Sequence, residues 1–161
     1  MRRWPLLFLV LAVLAVGGRY IYGLANRPDD KTQIRQALAD AIKASKEGRS
    51  GSVIDLLSEH FKVNGEQPGF GQIAKMVKES HPDIVVNDTD PVISGDAAQI
   101  TSSVRVTGTF FGAGQQTFDF KDAQLYFKKE SAMDWLIFPT TKWRLSDVRL
   151  PDNELPSLGS E

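Results

Sequence analysis

Few residues of this sequence are candidates for a general acid or base, and they lie far apart. His60 follows an apolar helical pattern and His81 precedes Pro82, positions where histidine usually satisfies a helix end. Asp122 and Asp147 fall where the alternation of apolar and polar residues breaks, so each has two interpretations: an inward acid or base, or an outward carboxylate in a bulge. Acid–base catalysis requires the inward arrangement, inside an apolar pocket.

A binding pocket would draw on aromatic residues near these carboxylates. Tyr126 could offer its hydroxyl group to a pocket, or its ring could pack in the core. No pair of residues forms a recognisable acid–base arrangement, so the sequence assigns no catalytic residue. The pocket candidates are Phe110, Phe120, Asp122, Tyr126, Trp143 and Asp147.

Metal and cofactor chemistry are not indicated by the sequence. Four aspartates between residues 83 and 96 are dense enough to suggest a cation site, but they lack the glycine and terminal glutamate of a calcium loop, which favours solvated turns. The run Gly112-Ala113-Gly114 predicts a hairpin turn, because no helix follows it to present a phosphate cradle. Cysteine is absent, which excludes disulfides, zinc–thiolate sites and thiol nucleophiles. We therefore predict no metal and no cofactor.

Four consecutive apolar residues, Trp135, Leu136, Ile137 and Phe138, interrupt the alternation near the carboxyl end. Successive side chains of a strand point to opposite sides, so at least two of the four face outward if the segment belongs to a hairpin. One hypothesis is that the segment folds back over the mouth of the domain. The other is that it contacts a partner, a second subunit or the membrane surface, because exposed apolar patches mark such contacts.

The charge distribution argues against nucleic-acid binding. The 161 residues include 19 Lys and Arg and 20 Asp and Glu, for a net charge of −1. Four arginines precede the first acid, Asp29, so the chain from residue 28 onward has 15 basic against 20 acidic residues, or −5. Affinity for nucleic acid rests on basic groups that neutralise phosphates. We expect no nucleic-acid partner.

The amino terminus predicts export. Arg2 and Arg3 precede a continuous apolar run, which is the arrangement of a signal peptide or a signal-anchor. Retained as a helix, residues 4–24 would measure about 31 Å, close to the ~30 Å thickness of the hydrocarbon layer. Cleaved at the small residues of 23–25, the protein would be secreted instead. In the retained form the domain is membrane-anchored outside the cytoplasm, in the periplasm or at the cell surface.

Four segments follow from these patterns. They are a signal-anchor or signal peptide at 1–25, a linker at 26–30, one domain at 31–150 and a tail at 151–161 whose composition predicts disorder.

Helices come first in the domain. Asp30 is suited to cap the first helix, and Gln33 completes a capping-box pattern. The second helix is predicted to run through Phe61 and to be followed by a short strand at 62–64. The three helices are expected from 30 to the glycine at 48, from 50 or 52 to 61, and over 70–80.

Beyond residue 81 the apolar period changes from 3.6 to 2, which indicates strands. Alternation slips near Lys121 and Asp122 and predicts a β-bulge there. Helices followed by a meander of strands predict an α+β domain, with helices packed on one face of a curved antiparallel sheet. Strands are expected within 83–93, 98–111, 116–130 and 141–150, and the polar face of the second carries Thr101, Ser103, Arg105, Thr107 and Thr109.

This order of elements resembles the nuclear transport factor two-like superfamily, in its membrane-anchored or exported bacterial-type members. The resemblance covers Asp30 to Leu150, and the segments that carry it are HFKVNG at 60–65 and the closing Trp143-Arg144-Leu145. It implies an α+β cone; a cystatin-like or other helix-on-meander fold is the main alternative.

The superfamily includes enzymes, transport adaptors and assembly subunits, so the fold alone decides no function. Members with one amino-terminal membrane helix are often accessory parts of envelope machines. The resemblance therefore implies a non-catalytic binding or assembly subunit, as a homodimer or with an envelope protein partner. The alternative is a small-molecule-binding protein or a lyase- or isomerase-type enzyme that uses the cone pocket.

The two hypotheses for residues 135–138 predict different outcomes for the double variant Trp135→Ser with Phe138→Ser. A contact surface would lose self-association or partner capture with little change in thermal midpoint, because aromatic anchors often dominate interfaces. A lid packed on the cone would lose two buried rings and lower the midpoint by more than about 10 °C. One melting curve and one sedimentation experiment separate the two hypotheses. A fall in thermal midpoint of this size without any change in association refutes the contact surface.

Overall fold

The computed structural model describes residues 28–110, 114–134 and 138–151, with the backbone alone at 133, 134, 138 and 139. The predicted anchor at 4–24, the tail beyond Pro151 and the side chains of the candidate contact at 135–138 lie outside the described residues. Among the helices in the described ranges, none is long and apolar enough to cross a membrane.

The described residues of the domain form three helices and six strands. The helices are α1 (Asp30–Lys46), α2 (Ser50–Leu56) and α3 (Phe70–Ser80). The strands are β1 (Leu57–Val63), β2 (Asp83–Val86), β3 (Val92–Ser94), β4 (Ala97–Thr109), β5 (Gln115–Asp134) and β6 (Phe138–Arg149). The α+β class and the third helix are confirmed.

The strands form one mixed sheet in the order β1–β6–β5–β4–β2, with β3 also paired to β4. Strands β2 to β6 pair antiparallel, as predicted. Strand β1 instead runs parallel to β6, with Leu57 opposite Leu145 and Val63 opposite Val148. A purely antiparallel sheet is therefore wrong, because the segment after α2 lies along the edge of the last strand.

The second helix is shorter than predicted. It ends at Leu56, and Leu57 already has extended dihedral angles of −79° and 141°. Residues 57–61 were expected to be helical but belong to β1, where Leu57 and Phe61 are buried and His60 is exposed. A helix of this length has little stability of its own, so pairing with β6 decides the conformation.

The interior between helices and sheet is filled by apolar side chains. The stripe Ile34, Leu38 and Ala41 of α1 packs on the sheet, where the ring of Phe127 is only 1% exposed. Nearly all of the apolar area of these side chains is removed from water, which makes this packing the main source of stability. The other members of this core are Leu56, Leu57, Phe61, Ala98, Ile100, Leu125, Trp143 and Leu145.

A second apolar cluster continues along the same side of the sheet. Val104, Phe120 and Ala123 form it, and Ile84 and Phe118 pack against it. The predicted bulge is confirmed: pairing of β4 with β5 shifts register after Ser102, and Asp122 has a φ of 58°. The one extra residue in β5 keeps Phe120 and Ala123 on the same side of the sheet.

Substitution of Phe127 should test this packing. Phe127→Ala leaves a cavity in the core that Phe127 shares with Ile34 and Leu38 of α1, and it should lower the free energy of unfolding by about 3–5 kcal/mol. Thr101→Ala, on the exposed opposite face of β4, is the control and should change it by less than about 0.5 kcal/mol. Urea denaturation followed by circular dichroism measures both; equal, small effects would show that the ring is not central to the core.

Candidate functional site

The pocket candidates do not line one pocket. Trp143 lies in the core with Phe127, whereas Phe120 belongs to the second cluster. Phe110 lies at the end of β4, with its ring centroid 5.6 Å from that of Phe118. These three aromatic residues therefore pack against other side chains of the fold.

The polar candidates face away from the interior. Asp122 is exposed in the bulge. Tyr126 and Asp147 are opposite each other on β5 and β6, and Arg149 covers the ring of Tyr126 at 5.0 Å and binds Asp147 at 3.2 Å. The Asp147 side chain is 21% exposed, and its buried Oδ1 atom has no hydrogen-bond partner among the described residues. Neither carboxylate lies between the helices and the sheet.

The first helix is attached to the sheet by a polar contact that sequence reasoning missed. Asp30 was expected to cap α1, but the helix begins at Asp30 itself and its carboxylate points to the β5–β6 pair. Trp143 donates its indole N–H to Oδ1 at 3.0 Å, and the Lys129 ammonium group donates to Oδ2 at 3.0 Å. These two hydrogen bonds hold the pKa of Asp30 below its ordinary value, and the bond from Trp143 makes the larger contribution.

A second network joins α2 and β1 to the sheet. Arg144 donates to the backbone carbonyls of Asp55 and Leu57 at 3.0 and 3.1 Å. Glu130 lies 3.7 Å from Arg144 and accepts a hydrogen bond from the buried Ser58 hydroxyl. The sequence offers no signal for the contacts to α2 and β1, because their partners are more than 70 residues apart.

An open cleft of about 500 Å³ lies between α1, α2 and β6. Its volume is within the range of small-molecule sites, but those are mostly apolar and enclosed. Here charged side chains of both signs line an open groove, and Asp40, Lys43 and Lys142 form no ion pair with the residues that the structure describes. The cleft suits a polar surface or polypeptide better than an apolar small molecule.

The two histidines differ in their surroundings. His81 ends α3 in the left-handed conformation, and its ring lies against Gly48 and 3.4 Å from the Lys46 carbonyl. A Cβ atom on Gly48 would approach this ring to 2.4 Å, which explains the glycine. His81 thus serves a helix end as predicted, whereas His60 is exposed on β1.

Two of the four aspartates between 83 and 96 form ion pairs. Asp83 pairs with Lys46 at 2.6 Å, and Asp90 pairs with Lys31 at 3.2 Å and with Arg35. The hydrogen bond from Lys31 is the main cause that lowers the pKa of Asp90. Within the described ranges, no three histidine or acidic side chains are grouped so that they could hold a metal ion.

The outer face of the sheet, defined as the face turned away from the helices, carries the predicted polar row. Arg105 of β4 pairs with Asp119 of β5 at 2.6 Å, and this hydrogen bond raises the pKa of the Arg105 guanidinium group above its ordinary value. The hydroxyl groups of Thr107 and Thr117 are 3.1 Å apart. Beside the ion pair, the bulge leaves a cleft of about 370 Å³ whose wall includes Val85 and Phe120.

Comparison with known proteins identifies the fold. No protein-family model and no curated protein matches the sequence. A nuclear transport factor 2-like superfamily protein from Salmonella enterica is similar in structure, with a TM-score of 0.55, 15% identity and coverage of 81% of this chain and 96% of that one. An NTF2-like protein with a cystatin-like fold from Novosphingobium aromaticivorans has a TM-score of 0.53, 18% identity and coverage of 89% and 92%.

A putative calcium/calmodulin-dependent kinase II association domain from Exiguobacterium sibiricum has a TM-score of 0.59, 14% identity and coverage of 77% and 94%. The chain therefore has the nuclear transport factor 2-like α+β fold, and the resemblance seen in the sequence is confirmed at this level. At these identities the likeness shows the fold alone.

The contact at Asp30 should make stability depend on pH. Asp30→Asn removes the charge and should lower the free energy of unfolding by about 1 kcal/mol near pH 7, since the pair is partly exposed. A lowered pKa stabilises the fold above the unfolded value of about 3.9, so the difference between wild type and variant should shrink as the pH falls below it. Asp40→Asn is the control, because this carboxylate of the same helix forms no ion pair within the described part of the chain. A difference that does not change with pH would refute the assignment.

Proposed function

We propose that this protein is a non-catalytic binding or assembly subunit of the cell envelope, with its α+β domain outside the cytoplasm and its amino-terminal segment at 4–24 as a membrane anchor. The observation that carries the proposal is the filled interior. Phe127, Ile34 and Ile100 occupy the space between helices and sheet with at most 1% exposure. Function is then located on the surfaces of the domain.

The alternative, an enzyme or small-molecule carrier, needs a carboxyl group inside the cone. Asp122 is exposed, and Asp147 is on the outer face and pairs with Arg149. Asp30 contacts the core residue Trp143, and both of its carboxylate oxygens accept hydrogen bonds that attach α1 to the sheet. These placements favour the binding role.

Two further observations agree with assembly. The structural neighbour from Exiguobacterium sibiricum is described as an association domain. In this chain, the wide outer face carries exposed side chains, and the four apolar residues at 135–138 are a second proposed contact, to a partner or to the membrane surface. A homodimer and a complex with another envelope protein are both compatible with the proposal.

Fractionation and cross-linking of the full chain in its native membranes should test the proposal. We expect the protein to resist alkaline carbonate washing, to be digested by protease added from outside the cytoplasm, and to give a discrete cross-linked species larger than the 17.8 kDa chain. Recovery from the cytoplasm would refute the envelope location. Release with a new terminus near Asn26 would refute the anchor, and a chain that remains at monomer mass would refute assembly.

A further inference from the structure

The first helix fixes which end of the domain lies next to the predicted anchor. Asp30, at the start of α1, accepts a hydrogen bond from Lys129 of β5 at 3.0 Å. At the other end of the helix, Lys46 binds Asp83 at 2.6 Å, and Asp83 is joined through β4 to Thr117 near the start of β5. The helix therefore runs along β5 from residue 129 toward residue 117. The chain that precedes α1 arrives from the side on which β5 ends and β6 begins.

The linker to the predicted anchor is hardly longer than the end of the β5–β6 hairpin. From residue 24, where the predicted anchor ends, to residue 30 the chain spans at most about 21 Å, at ~3.5 Å per residue. The pairing of β5 with β6 continues from Lys129 opposite Trp143 to Asp134 opposite Phe138, five residues farther or about 17 Å. The hairpin therefore nearly reaches the bilayer surface when the linker is fully extended, and any slack in the linker places the hairpin on that surface.

This end of the hairpin is basic. Residues 128–134 and 138–144 include four basic and two acidic residues, for a net charge of +2, although the chain from residue 28 onward carries −5. Lys128 and Lys142 are exposed and form no ion pair with the residues that the structure describes. A surface of anionic phospholipids attracts such side chains within about one Debye length, roughly 10 Å.

We infer that the hairpin end, defined as residues 128–132 of β5 and 140–144 of β6, lies on the anionic phospholipid surface of the bilayer that holds the predicted anchor. This inference rests on the proposed membrane anchor and adds a second attachment of the domain to the same bilayer. Lys128 and Lys142 contact headgroup phosphates, and the hydrogen bond between Asp30 and Lys129 keeps the start of α1 beside them. The opposite end of the sheet is then directed away from the bilayer and remains accessible to a partner.

Quenching by labelled lipids tests the inference on the full chain in vesicles of phosphatidylcholine and phosphatidylglycerol. The chain has no cysteine, so one introduced cysteine takes one fluorescent label. Ser131→Cys and Gln115→Cys are a matched pair, because both positions are exposed on β5 and lie about 53 Å apart along the strand. With a nitroxide quencher on the lipid headgroup, the label at Ser131 should be strongly quenched and the label at Gln115 should not.

Charge reversal separates docking from simple proximity to the anchor. Lys128→Glu with Lys142→Glu should lower the ratio of docked to undocked domains about fivefold for each lysine, and vesicles of phosphatidylcholine alone should weaken docking of the wild type. Lys75→Glu with Lys78→Glu makes the same change of charge on exposed positions of α3 and should leave the quenching unchanged. Thermal midpoints close to that of the wild type would exclude misfolding.

A longer linker tests whether the lysines hold the hairpin end in place. A Gly-Ser insertion after Asn26 should leave docking on anionic vesicles intact. Loss of docking with this insertion, equal quenching at Ser131 and Gln115, or quenching that the reversal at Lys128 and Lys142 leaves unchanged would each overturn the inference. If the native chain still resists carbonate washing, the anchor stands without this contact. If carbonate releases the chain, the anchor and this inference fail together.

Discussion

The apolar stripe of α1 must be shielded from water, and it packs against the inner face of β4, β5 and β6. Ile34 is fully buried in this contact and Phe127 is nearly so. Because side chains of a strand alternate, placing Phe127 and Ile100 against the helix directs their neighbours to the opposite side. The polar outer face is therefore a consequence of the core, and the bulge at Asp122 compensates for the slip in alternation, so that apolar residues on both sides of it face inward.

The same packing explains why this fold is proposed as a binding module. A cone that functions as a pocket must leave room between the helices and the sheet, and here rings and branched side chains take that room. Polar groups at its margin have structural partners: Asp30 holds Trp143 and Lys129, and Arg144 holds the junction of α2 and β1. The surfaces that remain are the outer face and the charged cleft beside α1.

Local patterns predicted much of the architecture. The third helix was predicted over 70–80 and is found at Phe70–Ser80, since its apolar spacing and the proline behind it are both local signals. The bulge near Lys121 and the polar row on β4 were also predicted correctly. The second helix was extended too far, because the segment from Leu57 to Phe61 suits a helix and a strand and only its pairing with β6 decides between them.

The sequence by itself determined the α+β class, the segments that become the long strands and the absence of cysteine chemistry, because each depends on composition or on a period of a few residues. The tertiary structure decided what the charged residues do. Asp30 meets partners 99 and 113 residues away, and Arg144 meets carbonyls almost 90 residues earlier. Such contacts depend on which strands become neighbours in the folded sheet, and a local sequence pattern does not specify that arrangement. The parallel pairing of β1 is also a tertiary contact, because its partner is the edge of β6, the last strand of the chain.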